Sequence, residues 1–595
     1  MHLTIYDYLV IAFYLVFMFA LGPVFKSFSK TSSDYFRGGG TMLWWIAGSS
    51  SFMTGFSAMA FVGGAAKAYE TGTFYLILFA CNMFAMIFMV CFTAAKYRQM
   101  RVVTAVEAVK DRFGKANEQI FTWLLLPIFA LWGGVGLYTI AVFMSGVFGV
   151  SIEVIIFALA AVVVGMTIFG GSWAATAGDF IQMLIVLAIT ILMALLVVYD
   201  PEVGGWSGLV EKMPEHHFRW TGFARPGVII FFVVTLFFNQ LMVMNSIAVG
   251  AARYVFVKNG RDAQKAALCP IIGSLIITPI FFIPPVAATF LFPQMNEIFP
   301  NLNNPNEASY MAMAFKFLPQ GLLGLLVCGV FAASLTSMNS SLNTAAGIFV
   351  RNFYVEVVNK KTSETGQIFI GRIFILIYGM LWVVIAMFFK NSKGLQLFDL
   401  MILVAASVNI PISVPTFLGI FIKKTPSWAA WGSMVAGVTT ALIMRLLLTS
   451  DNIEWLMSSL FTLSSPLTAR EIGDLNISIT TAVILIVCNG FFFTSMLFYK
   501  PKSGEAKAVD EFFEKMNTPV DMVAEHGESY ESDYRQMSVL GSLSLVYGGF
   551  IVLMLFIPNS MQSKICIAVI AAFILFFGVL LRLMAKRMTR KKDAN

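Results

Sequence analysis

Ala333, Thr336, Ser337, Ser340, Ser341 and Thr344 lie within one long, mostly apolar run. Their i, i+3, i+4, i+7, i+8, i+11 spacing stacks them along one face of an α-helix. A lone Ser or Thr in such a run is usually packing, because small residues let membrane helices approach closely. A longer stripe of hydroxyls in register calls for something more to satisfy it. Hard cations prefer oxygen ligands, and hydroxyls with backbone carbonyls can replace a hydration shell without adding a full charge. Asp179 is the other group with chemical potential, as one of very few acids deep in an apolar run. A carboxylate in hydrocarbon is costly and marks an ion pathway or a buried partner. The structural alternative is an acid satisfied by neighbouring hydroxyls.

Other chemistries find little support. Cys81, Cys91, Cys269, Cys328, Cys488 and Cys566 all fall in apolar runs and show neither a disulfide framework nor a metal-ligand spacing. His2, His216, His217 and His526 lie outside those runs, which argues against a histidine proton relay. With no phosphate-binding loop and no nucleophile–base pair in view, the expectation is not an enzyme. No organic cofactor, nucleic-acid partner or obligatory protein partner is expected.

The elements that position these groups are membrane helices. Hydrophobic residues make up 58% of the 595 positions and charged ones 12%, and apolar runs of about 20 residues recur, the length needed to cross a bilayer. About fifteen spans are expected, among them 5–25, 43–66, 151–170, 174–199, 227–250, 319–350, 396–422 and 565–585. The fold class is an all-α polytopic membrane protein. With the N-terminus outside, the inner loops and tail carry most of the 40 Lys and Arg, as inner loops should. That placement accounts for the net charge of +8 and predicts an N-out, C-in protein of the plasma (bacterial inner) membrane. MHLTIYDYLV has no basic n-region or small-residue cleavage site, so no removable signal peptide is read.

One span is unusual. Between Trp44 and Tyr69, WWIAGSSSFMTGFSAMAFVGGAAKAY crowds Gly, Ser and Thr into its middle. A broken helix survives in lipid only beside a protein-lined or watery cavity, and transporters use such breaks to aim carbonyls at a cation. A break is expected around Met53 to Phe56. A small-residue packing face is the alternative.

Several motifs then fall in order. Asp34-Tyr35-Phe36 precedes Trp44-Trp45 and the Gly/Ser-rich helix ending at Phe61. Thr104-x-x-Glu107-x-x-x-x-Arg112-Phe113-Gly114 follows the next span, and Gly170-Gly171 precedes Asp179-Phe-Ile-Gln182. Ala333 to Tyr354 is rich in Ser and Thr, and Leu397-Phe398-Asp399 leads to Pro411. In that order and spacing, over roughly residues 34–440, the chain resembles the sodium:solute symporter family. The resemblance implies a leucine-transporter-type core of 5+5 inverted repeats with broken first and sixth core helices. It would occupy residues 43–422, after a leading helix and linker (1–42). Further helices (423–595) would follow, with an inner loop at 500–537 and a basic tail.

By the same resemblance, Na+ is the coupling ion. Its site would use the carbonyls of Met53 and Phe56, the carbonyl of Ala333 and the hydroxyls of Thr336 and Ser337. A second ion site, found in some relatives, corresponds to Asp179 and Ser340, with Asn339 where Ser is usual. Sugar-binding positions of relatives correspond here to Ala60 and Ile402, and Ala252 stands where they have Gln before Arg253, which argues against a glucose- or galactose-type site. Polar candidates for a solute are Ser57, Asn82, Asn245, Ser407 and Asn409, each of which is alternatively packing. The expected function is sodium-coupled import of a small polar organic solute by alternating access. A proton-coupled transporter, or a channel or sensor on the same scaffold, is the alternative.

Overall fold

The computed structural model describes every residue except 1–2, 56–59, 221–224, 300–301, 303, 392–407, 461–464, 501–502, 527–531 and 595. Among the described residues there is no strand, only an isolated bridge pairing Met42 with Val257. The principal helices are α1 (Ile5–Phe25), α2 (Trp44–Gly55), α3 (Phe74–Phe88), α4 (Lys115–Phe148) and α5 (Ile152–Val198). They continue with α6 (Pro226–Met244), α7 (Ile247–Gly250), α8 (Gly260–Leu291), α9 (Leu322–Ile348) and α10 (Glu364–Asn391). After these come α11 (Ile410–Leu418), α12 (Ala429–Leu447), α13 (Ala469–Ser495), α14 (Ser503–Asn517), α15 (Met522–His526), α16 (Ser532–Leu553) and α17 (Met561–Ala594).

Among the described residues, twelve helices are long and apolar enough to cross a membrane. The difference from the expected count has local sources. α5 runs for 47 residues but turns at Gly171 (φ 54°, ψ −143°), so it holds both spans expected at 151–170 and 174–199. The span expected at 43–66 includes residues 56–59, outside the described residues, and the described stretch on either side is too short alone. The span expected at 396–422 falls largely on residues 392–407, outside the described residues.

The turn at Gly171 requires glycine. Its φ is one that L-residues rarely adopt, and a Cβ would lie 2.4 Å from the Tyr35 carbonyl oxygen. Helix ends inside a bilayer leave carbonyls that must be satisfied by protein. Here the linker before α2 does this. The Tyr35 hydroxyl donates to the carbonyls of Thr167 (2.8 Å) and Ile168 (3.0 Å). Ser29 donates to Gly170 O at 3.2 Å, Ser172 to Asp34 O at 3.3 Å, and Arg372 Nε to Ile168 O at 2.9 Å. The Asp34-Tyr35-Phe36 and Gly170-Gly171 motifs are thus two sides of one turn.

α1 is tied to α9 by a buried acid. Asp7 is 1% exposed; its Oδ1 accepts from the backbone N–H groups of Gly321 and Gly324, both at 2.8 Å. Its Oδ2 accepts from the N–H and hydroxyl of Thr4 at 2.9 and 2.6 Å. The start of α9 presents unpaired N–H groups and a partial positive charge, which suits a carboxylate. Asp7→Leu is expected to lower stability by about 2–3 kcal/mol by leaving those donors buried and unpaired. Asp7→Asn, which keeps an acceptor oxygen, is expected to cost less. Denaturation midpoints of both variants in detergent check the order.

Candidate ion and solute site

The small-residue face of α2 serves packing, and Met53 to Gly55, where a break was expected, are helical. A Cβ on Gly48 would lie 2.5 Å from Cys269 Sγ and 3.1 Å from the Ala266 carbonyl oxygen, so glycine is what lets α2 lie against α8. Ser49 donates to Ile46 O at 2.7 Å and Thr54 to Ser50 O at 2.9 Å, turning hydroxyls back onto the helix's own carbonyls. Met53 is fully buried in the last turn. Phe56 lies outside the described residues.

α9, which carries Ala333, Thr336 and Ser337, packs against both α5 and α2. Ser337 and Ser340 are half-buried. Asn339 is fully buried, and successive positions on a helix are about 100° apart, so it leaves the hydroxyl stripe. Its Oδ1 accepts from the Thr167 hydroxyl at 3.3 Å and its Nδ2 contacts Met166 Sδ at 3.9 Å. One turn on, Asn343 Nδ2 donates to Phe36 O at 3.0 Å. The Asn edge of α9 therefore faces the first half of α5 and the linker.

Asp179 is 2% exposed, one turn beyond Thr176 in the second half of α5. It accepts a short hydrogen bond from the Ser50 hydroxyl of α2. Ser50 Oγ in turn accepts from Arg253 Nε at 2.8 Å. One hydroxyl thus relays between an acid and a guanidinium, and Arg253 also lies in the electrostatic field of Asp179. The arrangement joins α2, α5 and the chain after α7. The resemblance singled out Asp179 but gave no role to Ser50 or a partner role to Arg253.

The sixth core helix is interrupted at Asn245 and Ser246, between α6 and α7. Asn245 is fully buried. Its Oδ1 accepts from the Thr93 hydroxyl at 2.7 Å, and its Nδ2 donates to Ala85 O (3.0 Å) and Leu241 O (2.9 Å). The Ser246 hydroxyl accepts from Val249 N–H at 3.3 Å, capping α7, and donates to Val243 O at 2.9 Å. Tyr97 donates to Ser246 O at 3.4 Å. These side chains provide the hydrogen bonds that a broken helix needs in lipid. Asn245→Leu is expected to cost about 2–3 kcal/mol, since it strands the Thr93 hydroxyl and the Ala85 carbonyl. A drop in melting temperature larger than that of Asn82→Leu checks it.

Two other carboxamides contrast with Asn245. Asn82 on α3 and Asn239 on α6 each bury an Oδ1 with no hydrogen-bond partner among the described residues, and α3 and α6 pack together. Asn239 was not among the solute candidates read from the sequence. Asn409 is half-buried at the start of α11. Ser57 and Ser407 lie outside the described residues.

Known proteins match this arrangement. The model of the Sodium:solute symporter family matches residues 35–437. The chain is 27% identical over 451 residues to the sodium/sialic acid symporter NanT of Aliivibrio fischeri, covering 74% of this chain and 87% of that protein. It is 26% identical over 492 residues to the human sodium/myo-inositol cotransporter 2, covering 74% and 70%. A solved Na+-coupled sialic acid symporter, substrate-bound and outward-open, superposes with a TM-score of 0.66 at 19% identity. That match covers 84% of this chain and 99% of the other.

Proposed function

The chain belongs to the sodium:solute symporter family and is a sodium-coupled membrane transporter, not an enzyme; from that premise we propose that it imports a small, polar, hydroxyl-bearing organic solute by alternating access. The proposed transport core is residues 43–422. Sodium would be held by the carbonyls of Met53, Phe56 and Ala333 and the hydroxyls of Thr336 and Ser337. The observation that carries the reading is the packing of α9, which bears the hydroxyl stripe, against α2, which bears Met53. A cation there would bridge the two helices, and its departure would release them. One charge moving through 100 mV is worth about 2.3 kcal/mol before any concentration gradient.

For the solute we favour the packed pair α3 and α6, whose Asn82 and Asn239 carry carboxamide oxygens that can accept from solute hydroxyls. An unpaired buried acceptor discriminates strongly for a ligand that supplies the missing donor. Ser57, Ser407 and Asn409 are further proposed lining positions. The hydrogen bonds of Asn245 favour a bracing role for it over solute contact. Asp179 remains the proposed centre of a second ion site with Ser340 and Asn339, although Asn339 is drawn toward Thr167.

Successive spans reverse direction, so residues 26–43, 94–114, 251–259, 349–363 and 419–428 share one end of the bundle with α14 and α15. That end is rich in Lys and Arg, and we assign it to the cytoplasm on the positive-inside bias, in a plasma (bacterial inner) membrane.

The test is uptake into proteoliposomes of labelled N-acetylneuraminic acid and myo-inositol, the solute classes of the two relatives, under an imposed sodium gradient. Accumulation of either that needs sodium and fails with potassium is the expected result. Accumulation driven by a pH gradient without sodium would establish the proton-coupled alternative. Sodium flux without solute would establish a channel.

A further inference from the structure

The helices between α13 and α16 are docked onto the basic end of the bundle, at the place where the transport reading requires an opening. Phe512 and Met516 of α14 are 2% and 1% exposed, buried in the main core. Lys515 pairs with Asp111 at 3.9 Å, and Arg101 donates to the carbonyls of Lys515, Thr518 and Pro519 at 3.2, 3.2 and 3.0 Å. This half of the segment sits on the connection between α3 and α4. On α15, Glu525 reaches into a pair of guanidiniums. Arg37 Nη2 meets its Oε1 at 3.1 Å and Arg98 Nη2 meets its Oε2 at 2.6 Å.

Both arginines also bond to the chain around them. Arg98 is fully buried and also donates to the carbonyls of Val257 and Gly40, joining the chain that enters α2 to the chain that leaves α7. Arg37 donates to Val102 O at 3.1 Å. Burial, followed by the neighbouring Arg98, lowers the Arg37 pKa from its usual value, while Glu525 and then Glu107 oppose that shift. The start of α16 completes the hold. Gln536 Nε2 donates to Thr41 O at 3.0 Å, its Oε1 accepts from Leu43 N–H at 3.1 Å, and Lys258 pairs with Asp533. Met42 and Val257, the bridged pair, lie under this contact.

We propose that α14, α15 and the first turn of α16 form a strap that holds the basic end of the transport core shut, with Glu525 as its clasp. Inward opening must part the entry to α2 from its surroundings, and the strap grips that entry from both sides. Releasing Glu525 leaves two buried guanidiniums without their shared carboxylate, so strap release and gate opening are one event. The strap sets how often the closed end opens, and a ligand or modification that competes for Arg37 and Arg98 would act as a regulator.

The proposal rests on the alternating-access reading, and its test is read without sodium or solute. Thr54→Cys, exposed at the end of α2, is labelled with a membrane-impermeant thiol reagent applied to the basic face in inside-out vesicles, the parent's own labelling being subtracted. Glu525→Gln and Glu525→Lys are expected to raise the labelling rate on the order of tenfold or more, since removing one partner of a buried charge pair is strongly destabilising. Glu525→Asp is expected to stay near the parent. Melting temperatures within a few degrees of the parent show that the variants are folded; a variant that melts much earlier is replaced by Asp533→Asn combined with Gln536→Ala, which loosens the same strap. Unchanged labelling in folded variants overturns the strap. Sodium-driven uptake into right-side-out vesicles bearing the same variants separately reads the transport function, so the two failures are distinct.

Discussion

Replacing Thr336 and Ser337 together by alanine is expected to remove the sodium-specific part of the protein's thermal stability and to cut sodium-driven uptake by about a hundredfold. Hydrogen bonds and ligand contacts to a charged group are worth about 1.5–3 kcal/mol each, and every 1.4 kcal/mol is a factor of about ten in affinity. Loss of both hydroxyls therefore weakens sodium at least about a hundredfold, while the carbonyls proposed at Met53, Phe56 and Ala333 remain. A ligand bound only by the folded state stabilises it by RT ln(1 + [L]/Kd), about 2.7 kcal/mol at a hundred times Kd. Wild type in NaCl should thus melt well above wild type in equimolar KCl, and the double variant should melt alike in both. Thr336→Ser, which keeps the hydroxyl, should retain most of the shift. Equal melting of wild type in both salts would remove sodium from these residues.

The sequence carried the membrane class and the spans around Gly171 more faithfully than helix length does. Gly170-Gly171 interrupts an apolar run at the place where α5 turns, although the two halves form one 47-residue helix by hydrogen bonding. The same motif gave no hint that Tyr35, more than 130 positions earlier, closes the turn. Sequence spacing says which residues share a face, as for the hydroxyl stripe of α9, because that geometry is local. It is silent on which distant chain covers that face. Asp7 is an example: it reads as an ordinary acid near the N-terminus, yet it caps the helix that carries the proposed sodium ligands. The inner loop expected at 500–537 contains DEFFEKM, which mixes charges with apolar side chains, and of these Phe512 and Met516 are buried. Its clasp was not legible, since nothing in the sequence links Glu525 to Arg98. Of the Ser and Gly residues of α2, Gly48 realises the packing reading against α8, while Ser50, two residues on, belongs to a polar relay that neither reading foresaw.

That relay makes the second large prediction. Asp179→Asn keeps the shape of the side chain and an oxygen to accept from Ser50, but it removes the charge facing Arg253. Asp179 and Arg253 are linked through Ser50, and neutralising the acid leaves the guanidinium without its linked countercharge, a cost bounded by the about 3–5 kcal/mol of breaking a fully buried pair. The cost falls on the closed arrangement, where α2, α5 and Arg253 are joined, so sodium-driven uptake is expected to fall about a hundredfold or more. Ser50→Ala breaks the same connection while leaving both charges, and a smaller loss is expected from it. If Asp179 serves as an ion ligand, its loss reduces the sodium dependence of uptake, seen as a lower Hill coefficient or a weaker half-saturation for sodium. If it carries protons instead, the asparagine variant loses the pH dependence of uptake and leaves the sodium dependence intact. If it only braces α2, uptake and melting temperature fall together and the sodium half-saturation does not move. Uptake measured against sodium at several pH values, for wild type and both variants, separates these outcomes. The expected pattern is a weakened sodium response with a retained pH profile, in keeping with the second ion site proposed at Asp179.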